Sequence, residues 1–173
     1  MGIKLASFRD VADGLQEGQF AVGERTELAS LADLDPMYKQ LMDDPVTQIL
    51  GIVGPSGRAN MTPMWFDYEG DQILVNCAAQ RSKTQWIRDS PRLTSLLVNP
   101  ANPYHWMSIK HTMVEEISED DPERGPAVTA QLDRIWEKYT QTPGPYGLRD
   151  PSIDERRVLF RCDIDQIATF GKP

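Results

Sequence analysis

The sequence predicts a mainly β protein with helical cover, an α+β arrangement built around an antiparallel barrel of six or seven strands. Short apolar segments recur between tight turns from residue 47 onward, and segments of helical spacing are inserted between them. The first three strands are too close in sequence for the crossover helices that a parallel sheet needs. A chain of 173 residues with 40% hydrophobic content can bury one sizeable core.

Charge and cysteine content narrow the class of protein. A net charge of −8 and a pI near 4.7 argue against a broad surface for nucleic acid or anionic lipid. No apolar run approaches the roughly 18 to 20 residues of a spanning helix, and no apolar segment of a secretory signal follows Lys4 and Arg9. Cys77 and Cys162 form no disulfide framework, so we expect reduced thiols and a cytoplasmic protein.

The chain divides into a short N-terminal segment and one main domain. Residues 1–30 have scattered apolar positions without a sustained period, which predicts an arm or leader rather than regular structure. Residues 31–173 form the predicted barrel domain. Its first element is a short helix that begins at Asp35-Pro36, an N-cap followed by a proline at the first helical position, and ends at Pro45.

The remaining elements follow from periodicity and turn residues. Strands are predicted over 47–53, 59–68, 73–78, 92–99, 104–117, 157–164 and 167–170. The first three are joined by short turns and predict an antiparallel meander, and the alternation over 104–117 predicts a strand that bends. Helices are predicted over 83–89, capped by Ser82, and over 126–140, opening at Gly125-Pro126.

The common catalytic and metal-binding sets do not fit this sequence. Its two histidines, His105 and His111, lie on one predicted strand with no cysteine or carboxylate at a spacing that completes a zinc site. We assign both to surface or packing roles and predict no metal. There is no nucleophile elbow, no P-loop and no G-x-G-x-x-G.

The first candidate binding site consists of Arg81, Ser82 and Lys83. Two cations and a hydroxyl at the start of a helix suit a phosphate, because the helix offers unpaired N–H groups there. The cations oppose the helix dipole, a small cost that a bound anion reverses. The same pattern also fits a solvent-exposed helix start with incidental basic residues.

Pro63 is the second feature. A proline within a strand belongs at an edge or a bulge, since it donates no ladder hydrogen bond, and backbone groups beside it are then free for a flat polar ring. A ring at Pro63 and a phosphate at Arg81 and Lys83 together describe a flavin-type ligand.

These segments resemble a known family, the flavin/deazaflavin oxidoreductases of the pyridoxamine 5'-phosphate oxidase-like split-barrel superfamily. The resemblance covers most of residues 47–117 and 156–171. It is carried by T-P-x-W-F at 62–66, R-x-K at 81–83, D-S-P-R at 89–92 and N-P-Y at 102–104, in the expected order. It is nearest to the branch that uses the deazaflavin coenzyme F420, and it implies an FMN-binding type of split barrel and a homodimer with the cofactor between subunits.

The resemblance also implies which residues form the site. The ring would be lined by Met61, Thr62, Pro63 and Met64, the ribityl–phosphate portion approached by Asn76 and Cys77, and the phosphate held by Arg81, Ser82 and Lys83. The chain departs from the family pattern where glycine is common, at Gln80 and near His111.

The function implied is hydride transfer from reduced F420 to a small conjugated organic acceptor. No acid–base residue is required, because the cofactor carries the chemistry; Tyr104 and Tyr146 are candidate proton donors, and the catalytic residues stay unassigned. The alternatives are an FMN-dependent oxidase or reductase of the pyridoxamine phosphate oxidase-like type, although this chain lacks the arginine-containing C-terminal substrate motif, and a non-catalytic flavin- or haem-binding protein.

Overall fold

The computed structural model describes residues 2–8 and 22–173. In this part of the chain nine β-strands form one mixed sheet, covered by three α-helices. The strands are β1 (Ile3–Phe8), β2 (Val22–Leu28), β3 (Gln48–Val53), β4 (Ala59–Met64), β5 (Asp67–Glu69), β6 (Gln72–Ala78), β7 (Arg92–Val98), β8 (Trp106–Ser118) and β9 (Arg157–Phe170). The helices are α1 (Pro36–Asp43), α2 (Ser82–Asp89) and α3 (Gly125–Thr140).

Strand β9 is the centre of the sheet. It pairs antiparallel with β8 along one edge, while its other edge pairs first with β6 and then, in parallel, with β1. The sheet runs in the order β2-β1-β9-β8-β7-β3-β4, with β5-β6 branching from β9. The fold is thus mainly β with helical cover, as predicted. It has more strands than the six or seven expected, and pairing among the described strands does not close into a ring.

The N-terminal segment contributes two strands where the sequence predicted no regular structure. Ile3 and Ala6 of β1 are each only 6% exposed, so this strand is part of the core. The side chains described in β2 are mostly exposed, which explains why an apolar pattern is missing there. Residues 9–21 of the expected arm lie outside the described residues, and the domain boundary at residue 30 stays a prediction.

The single strand predicted over 59–68 is wrong: the chain forms two strands, β4 and β5, with a break at Trp65 and Phe66. The backbone groups at the break bind side chains instead of a neighbouring strand. The carbonyl of Trp65 accepts a hydrogen bond from Gln48 Nε2 (2.9 Å), and the N–H of Phe66 donates to the Tyr139 hydroxyl (2.8 Å). Phe66 itself is fully buried, so the chain turns inward here.

The predicted three-strand meander is therefore wrong beyond its first turn. β3 and β4 form the expected hairpin, but β6 pairs with β5 and β9 and not with β4. The turn at Glu69-Gly70-Asp71 closes only the short β5–β6 hairpin, with Gly70 in the left-handed region at φ 57°. β6 thereby lies beside the start of β9.

The helices begin close to where the sequence predicted. Asp35 caps α1 by accepting from the N–H of Met37 at 3.0 Å. α3 opens at Gly125, where an added Cβ would lie 2.2 Å from the carbonyl oxygen of Glu119, so only glycine fits. α2 begins one residue earlier than predicted, since Ser82 is its first residue and not its N-cap. Arg81 occupies the N-cap position, and its side chain makes no capping hydrogen bond.

The last long strands carry the core. β8 bends at register shifts between Lys110 and His111 and between Met113 and Glu115, as its length predicted. The two predicted C-terminal strands are one continuous strand, β9. Phe160 of β9 is fully buried. In the described part of the chain no helix has the length and apolarity needed to cross a membrane.

Candidate cofactor site

One cavity collects most of the residues predicted to bind a cofactor. It has a volume of about 280 Å³ and lies between the ends of β4 and β6, the start of α2, the face of α3 and the loop over 141–155. Its lining consists of Pro63, Met64, Trp65, Asn76, Cys77, Ala78, Arg81, Lys83, Leu132, Ile135, Tyr146, Leu148 and Arg157.

The cationic end of the cavity is built by the turn from β6 into α2. The N–H of Arg81 and the hydroxyl of Thr84 both donate to the carbonyl of Ala78, at 3.1 and 2.8 Å, which fixes the start of the helix. Arg81 and Lys83 line the cavity, and within residues 2–8 and 22–173 neither makes an ion pair. Two uncompensated cations beside uncapped helical N–H groups form a site with the chemistry of an anion receptor.

The four residues expected along the ring divide between the two faces of β4. Pro63 and Met64 line the cavity. Met61 is 63% exposed on the outer face of the strand, while Thr62 points inward and its Oγ1 is buried without a described partner. Met61 and Pro63 share the outer face and Thr62 and Met64 the inner one, so the cavity contacts only the last residue of each pair, where the strand ends.

The residues predicted to bind the ribityl–phosphate portion also lie only partly in the cavity. Ser82 is exposed and does not line the cavity. Asn76 and Cys77 do line it, but the amide of Asn76 is engaged by protein groups, Gln131 and Arg157. The structure thus brings together six of the nine predicted residues, and their binding of a cofactor stays a prediction.

Cys77 lies at the back of the cavity as a buried thiol, 2% exposed. Burial raises the pKa of this thiol, an effect opposed by the nearby positive charges of Lys83, Arg157 and Arg81. Cys77 and Cys162 are both free and buried, so neither is poised as an exposed nucleophile.

Two aromatic side chains, Trp65 and Tyr146, form another wall of the cavity. Trp65 stacks on Tyr139 with ring centroids 4.9 Å apart and an interplanar angle of 12°. Tyr146 meets the edges of Trp65 and Trp136, at 6.4 and 5.8 Å. The N–H of Tyr146 donates to Asp133 Oδ1 (2.9 Å), which ties the loop to α3. The wall can exclude water from one side of a bound ring.

Sequence reasoning missed Arg157. This residue is only 8% exposed and reaches the cavity from the start of β9, where it lies opposite Ala78. The pattern held a weak signal, two arginines immediately before an apolar strand. It did not show which of Arg156 and Arg157 points inward, because that depends on the register of β9 against β6.

Neither histidine lines this cavity. His105 and His111 are 1% and 0% exposed, so the packing role holds and the surface role does not. His105 instead lines a second cavity of about 340 Å³ between α1 and the loop before β8. No residue predicted to bind cofactor lies in that second cavity.

Three solved structures show what the fold resembles. An F420 reductase superposes with a TM-score of 0.62 at 20% identity, covering 78% of this chain and 98% of the reductase. A protein assigned as a pyridoxamine 5'-phosphate oxidase from Listeria innocua gives a TM-score of 0.51 at 18% identity, over 76% of this chain and 93% of that one. The haem storage protein HutZ from Vibrio cholerae gives 0.57 at 16% identity, over 80% and 96% of the two chains.

The chain therefore shares its fold with these proteins, which confirms at the level of fold the resemblance drawn from the sequence. No family model and no curated protein matches the sequence. TM-scores of 0.51 to 0.62 establish the shared fold, while identities of only 16 to 20% leave the activity to be argued from the site.

Proposed function

We propose that this protein is an oxidoreductase that transfers a hydride from reduced coenzyme F420 to a small conjugated organic acceptor. One observation carries the proposal. A single cavity is lined both by two uncompensated cations at a helix start and by Pro63, Met64, Trp65 and Tyr146. That arrangement suits a ligand with a flat ring and a phosphate-bearing chain. The fold it shares with an F420 reductase agrees with this choice.

The bound deazaflavin would supply the hydride, and the protein supplies the rest. Arg81 and Lys83 hold the phosphate, Pro63 and Met64 lie against the ring, and Trp65 keeps water from one side of the cavity. Of the two candidate proton donors, Tyr146 lines the cavity, while Tyr104 is 74% exposed in the loop before β8. We therefore propose Tyr146, and not Tyr104, as the proton donor.

A second subunit is part of this proposal. The cavity of about 280 Å³ is slightly smaller than the roughly 300 to 1,000 Å³ usual for ligand sites. The outer face of β3 and β4 next to it is apolar, with Val53 and Met61 exposed at 46% and 63%. A homodimer that packs this face would complete the cofactor site. The buried free thiols suit a reducing compartment, and the proposal places the enzyme in the cytoplasm.

FMN is the alternative cofactor, since the same cations would hold its phosphate. Haem binding has less support, because neither histidine lines the cavity and the thiol of Cys77 is buried with a raised pKa. Titration of one protein sample with F420 and with FMN, followed by fluorescence, separates the two flavin-type cofactors. Turnover of a panel of quinones and enones with reduced F420 then tests catalysis.

The first prediction concerns the two cations. Replacing Arg81→Ala and Lys83→Ala together should weaken binding of the cofactor at least about a hundred-fold, because each removes a charge-assisted bond to phosphate worth about 1.5 to 3 kcal/mol. The matched control is Arg58→Ala with Lys110→Ala, which removes two exposed positive charges elsewhere. Equal affinity of both double variants and the wild type for F420 and for FMN would show that the site is misassigned.

A further inference from the structure

Arg157 lines the same cavity as the two predicted cations, Arg81 and Lys83. It is the first residue of β9 and lies opposite Ala78, the last residue of β6, just before the turn that presents Arg81. All three cations line the cavity, and all three act on the buried thiol of Cys77, whose pKa each of them lowers against the larger effect of burial. The sequence motif thus accounts for only two of three clustered cations.

The guanidinium of Arg157 is held on two edges by protein groups. Its Nε donates to Asn76 Oδ1 at 2.9 Å, and its Nη1 donates to Glu155 Oε1 at 2.6 Å. The ring of Tyr146 lies 5.6 Å from its central carbon. With two edges and one face occupied, the group has little rotational freedom to lose when it binds a ligand.

A chain of hydrogen bonds fixes the orientation of Asn76. Gln131 Nε2 donates to the carboxylate of Asp67 (2.9 Å), which can only accept. Gln131 Oε1 must then accept from Asn76 Nδ2 (2.9 Å), and this leaves Asn76 Oδ1 directed at Arg157. Asp67 is itself bound by Arg134 at 2.8 Å. The amide of Asn76 is therefore committed to holding the arginine and is not free for a ligand.

The remaining edge of Arg157 is open. Nη2 of Arg157 has no hydrogen-bond partner among the described residues. The buried side-chain atoms without a partner are Thr62 Oγ1, His105 Nε2 and His111 Nδ1, so Nη2 is not buried and stays accessible. Arg157 lines the cavity and its Nε and Nη1 already donate to protein groups, so Nη2 is the donor left for a ligand there. Three cations and the carboxylate of Glu155 leave two positive charges around the cavity, which matches a phosphate better than a neutral ligand.

We propose that Arg157 is a third phosphate-binding residue of this site, positioned by Asn76 and Glu155, which do not contact the ligand. The inference rests on the proposed function in placing a phosphate-bearing cofactor here. It replaces the expected role of Asn76 as a ligand contact with a positioning role. It also adds a specificity rule, because Arg157 should distinguish phosphorylated ligands from the same rings without phosphate.

The test compares Arg157→Met with its neighbour Arg156→Met. Arg156 is exposed and pairs with Asp120 and Asp154, so it serves as the matched control. The ligands are FMN and riboflavin, and F420 and the same deazaflavin without its phosphate-bearing tail. We expect Arg157→Met to weaken binding of the phosphorylated member about ten- to a hundred-fold and the other member less than two-fold, while Arg156→Met changes neither. Asn76→Leu should give a smaller loss with the same selectivity.

Loss of fold is separated from loss of contact by a second variant. Arg157→Met leaves the carboxylate of Glu155 buried without its partner, so the double variant with Glu155→Gln removes that charge as well. A double variant that melts near the wild-type temperature and still loses selectivity for phosphate supports the proposal. Equal weakening of both members of a pair, or no weakening, overturns it.

Failure of the proposed function gives a different result. If the wild type binds none of the four ring ligands, that function is wrong, and inorganic phosphate still tests Arg157 by thermal shift. A phosphate contact is supported if millimolar phosphate raises the melting temperature of the wild type and of Arg156→Met but not that of Arg157→Met or of the double variant. Equal protection of all four proteins, or no protection of the wild type, overturns it.

Discussion

At the scale of single residues, His111 shows how hydrogen bonds determine a protonation state. Gln48 Nε2 donates to the carbonyl of Trp65, so Gln48 Oε1 is the acceptor for the Ser95 hydroxyl at 2.6 Å. Ser95 has then used its proton, and His111 Nε2, 2.9 Å from Ser95 Oγ, must donate to it. The proton of the neutral ring is on Nε2, and Nδ1 is left buried without a described partner.

This arrangement makes stability depend on pH. Burial lowers the pKa of His111 from 6.5 to about 4, because a second proton would place an unpaired charge in the core. Between these values the unfolded chain binds the proton and the folded chain does not. The stabilisation is therefore complete above pH 6.5 and is lost as the pH falls toward 4, by about 3 kcal/mol in total.

We predict that His111→Gln flattens this pH dependence. A glutamine amide can still donate to Ser95 but does not titrate, so its free energy of unfolding should change less than that of the wild type between pH 6.5 and 4.5. Chemical denaturation at a series of pH values measures both slopes. His105, whose pKa burial also lowers, adds to the background slope in both proteins. Identical slopes would contradict the role given to His111.

At the scale of elements, α3 is anchored to the sheet by hydrogen bonds from its last turns. The hydroxyl of Tyr139 accepts from the N–H of Phe66 at 2.8 Å and donates to the carbonyl of Val46 at 2.5 Å. Lys138 Nζ donates to the carbonyl of Met42 at 2.6 Å. Burial raises the pKa of Tyr139 to about 12, so its hydroxyl keeps its proton at any physiological pH. These bonds set the distance between α3 and the break in the β4–β5 segment, and thus the width of the cavity.

Replacing Tyr139→Phe should lower the free energy of unfolding by about 1 to 3 kcal/mol, because a buried N–H and a buried carbonyl both lose their partner. The stacked ring on Trp65 is retained in this variant. Tyr146→Phe is the control, since the Tyr146 hydroxyl makes no hydrogen bond to the described residues, and its effect should be within about 0.5 kcal/mol. Denaturant titration measures the free energy of unfolding of both variants. Equal losses in Tyr139→Phe and Tyr146→Phe would contradict the anchoring role of the Tyr139 hydroxyl.

The same break marks the limit of what the sequence could predict. Local signals were sufficient for α1, for the opening of α3 at Gly125 and for the bend in β8, since caps, glycine and alternation act within a few residues. The break after β4 depends on partners 17 and 73 residues away, which no local pattern contains. Arg157 was missed for a similar reason, since register between distant strands directs it inward while Arg156 faces solvent.

At the scale of the whole molecule, the outer face of the β3–β4 hairpin is the surface that the proposed dimer would cover. In this hairpin Leu50 points inward and is fully buried, while Gly51 and its partner Met61 face outward. Pro63 follows on the same outer face and also lines the cavity, so the face and the cavity are continuous. A second copy that packs on Met61 would therefore lie beside the proposed ring site.

The last prediction follows from that continuity. Met61→Glu should shift the protein from dimer to monomer, because a twofold interface brings two like charges into an apolar contact. It should also weaken binding of the cofactor about ten-fold or more, because the monomer lacks the part of the site that the partner subunit would supply. Val114→Glu is the matched control, because Val114 is similarly exposed, at 52%, but lies on β8, which β7 and β3 separate from β4 in the sheet. Light scattering after size-exclusion chromatography measures the mass, and titration of the same fractions measures affinity. A wild type that is monomeric at the concentrations where it binds cofactor would refute the shared site, whereas a dimer that Met61→Glu leaves intact would place the interface on another face.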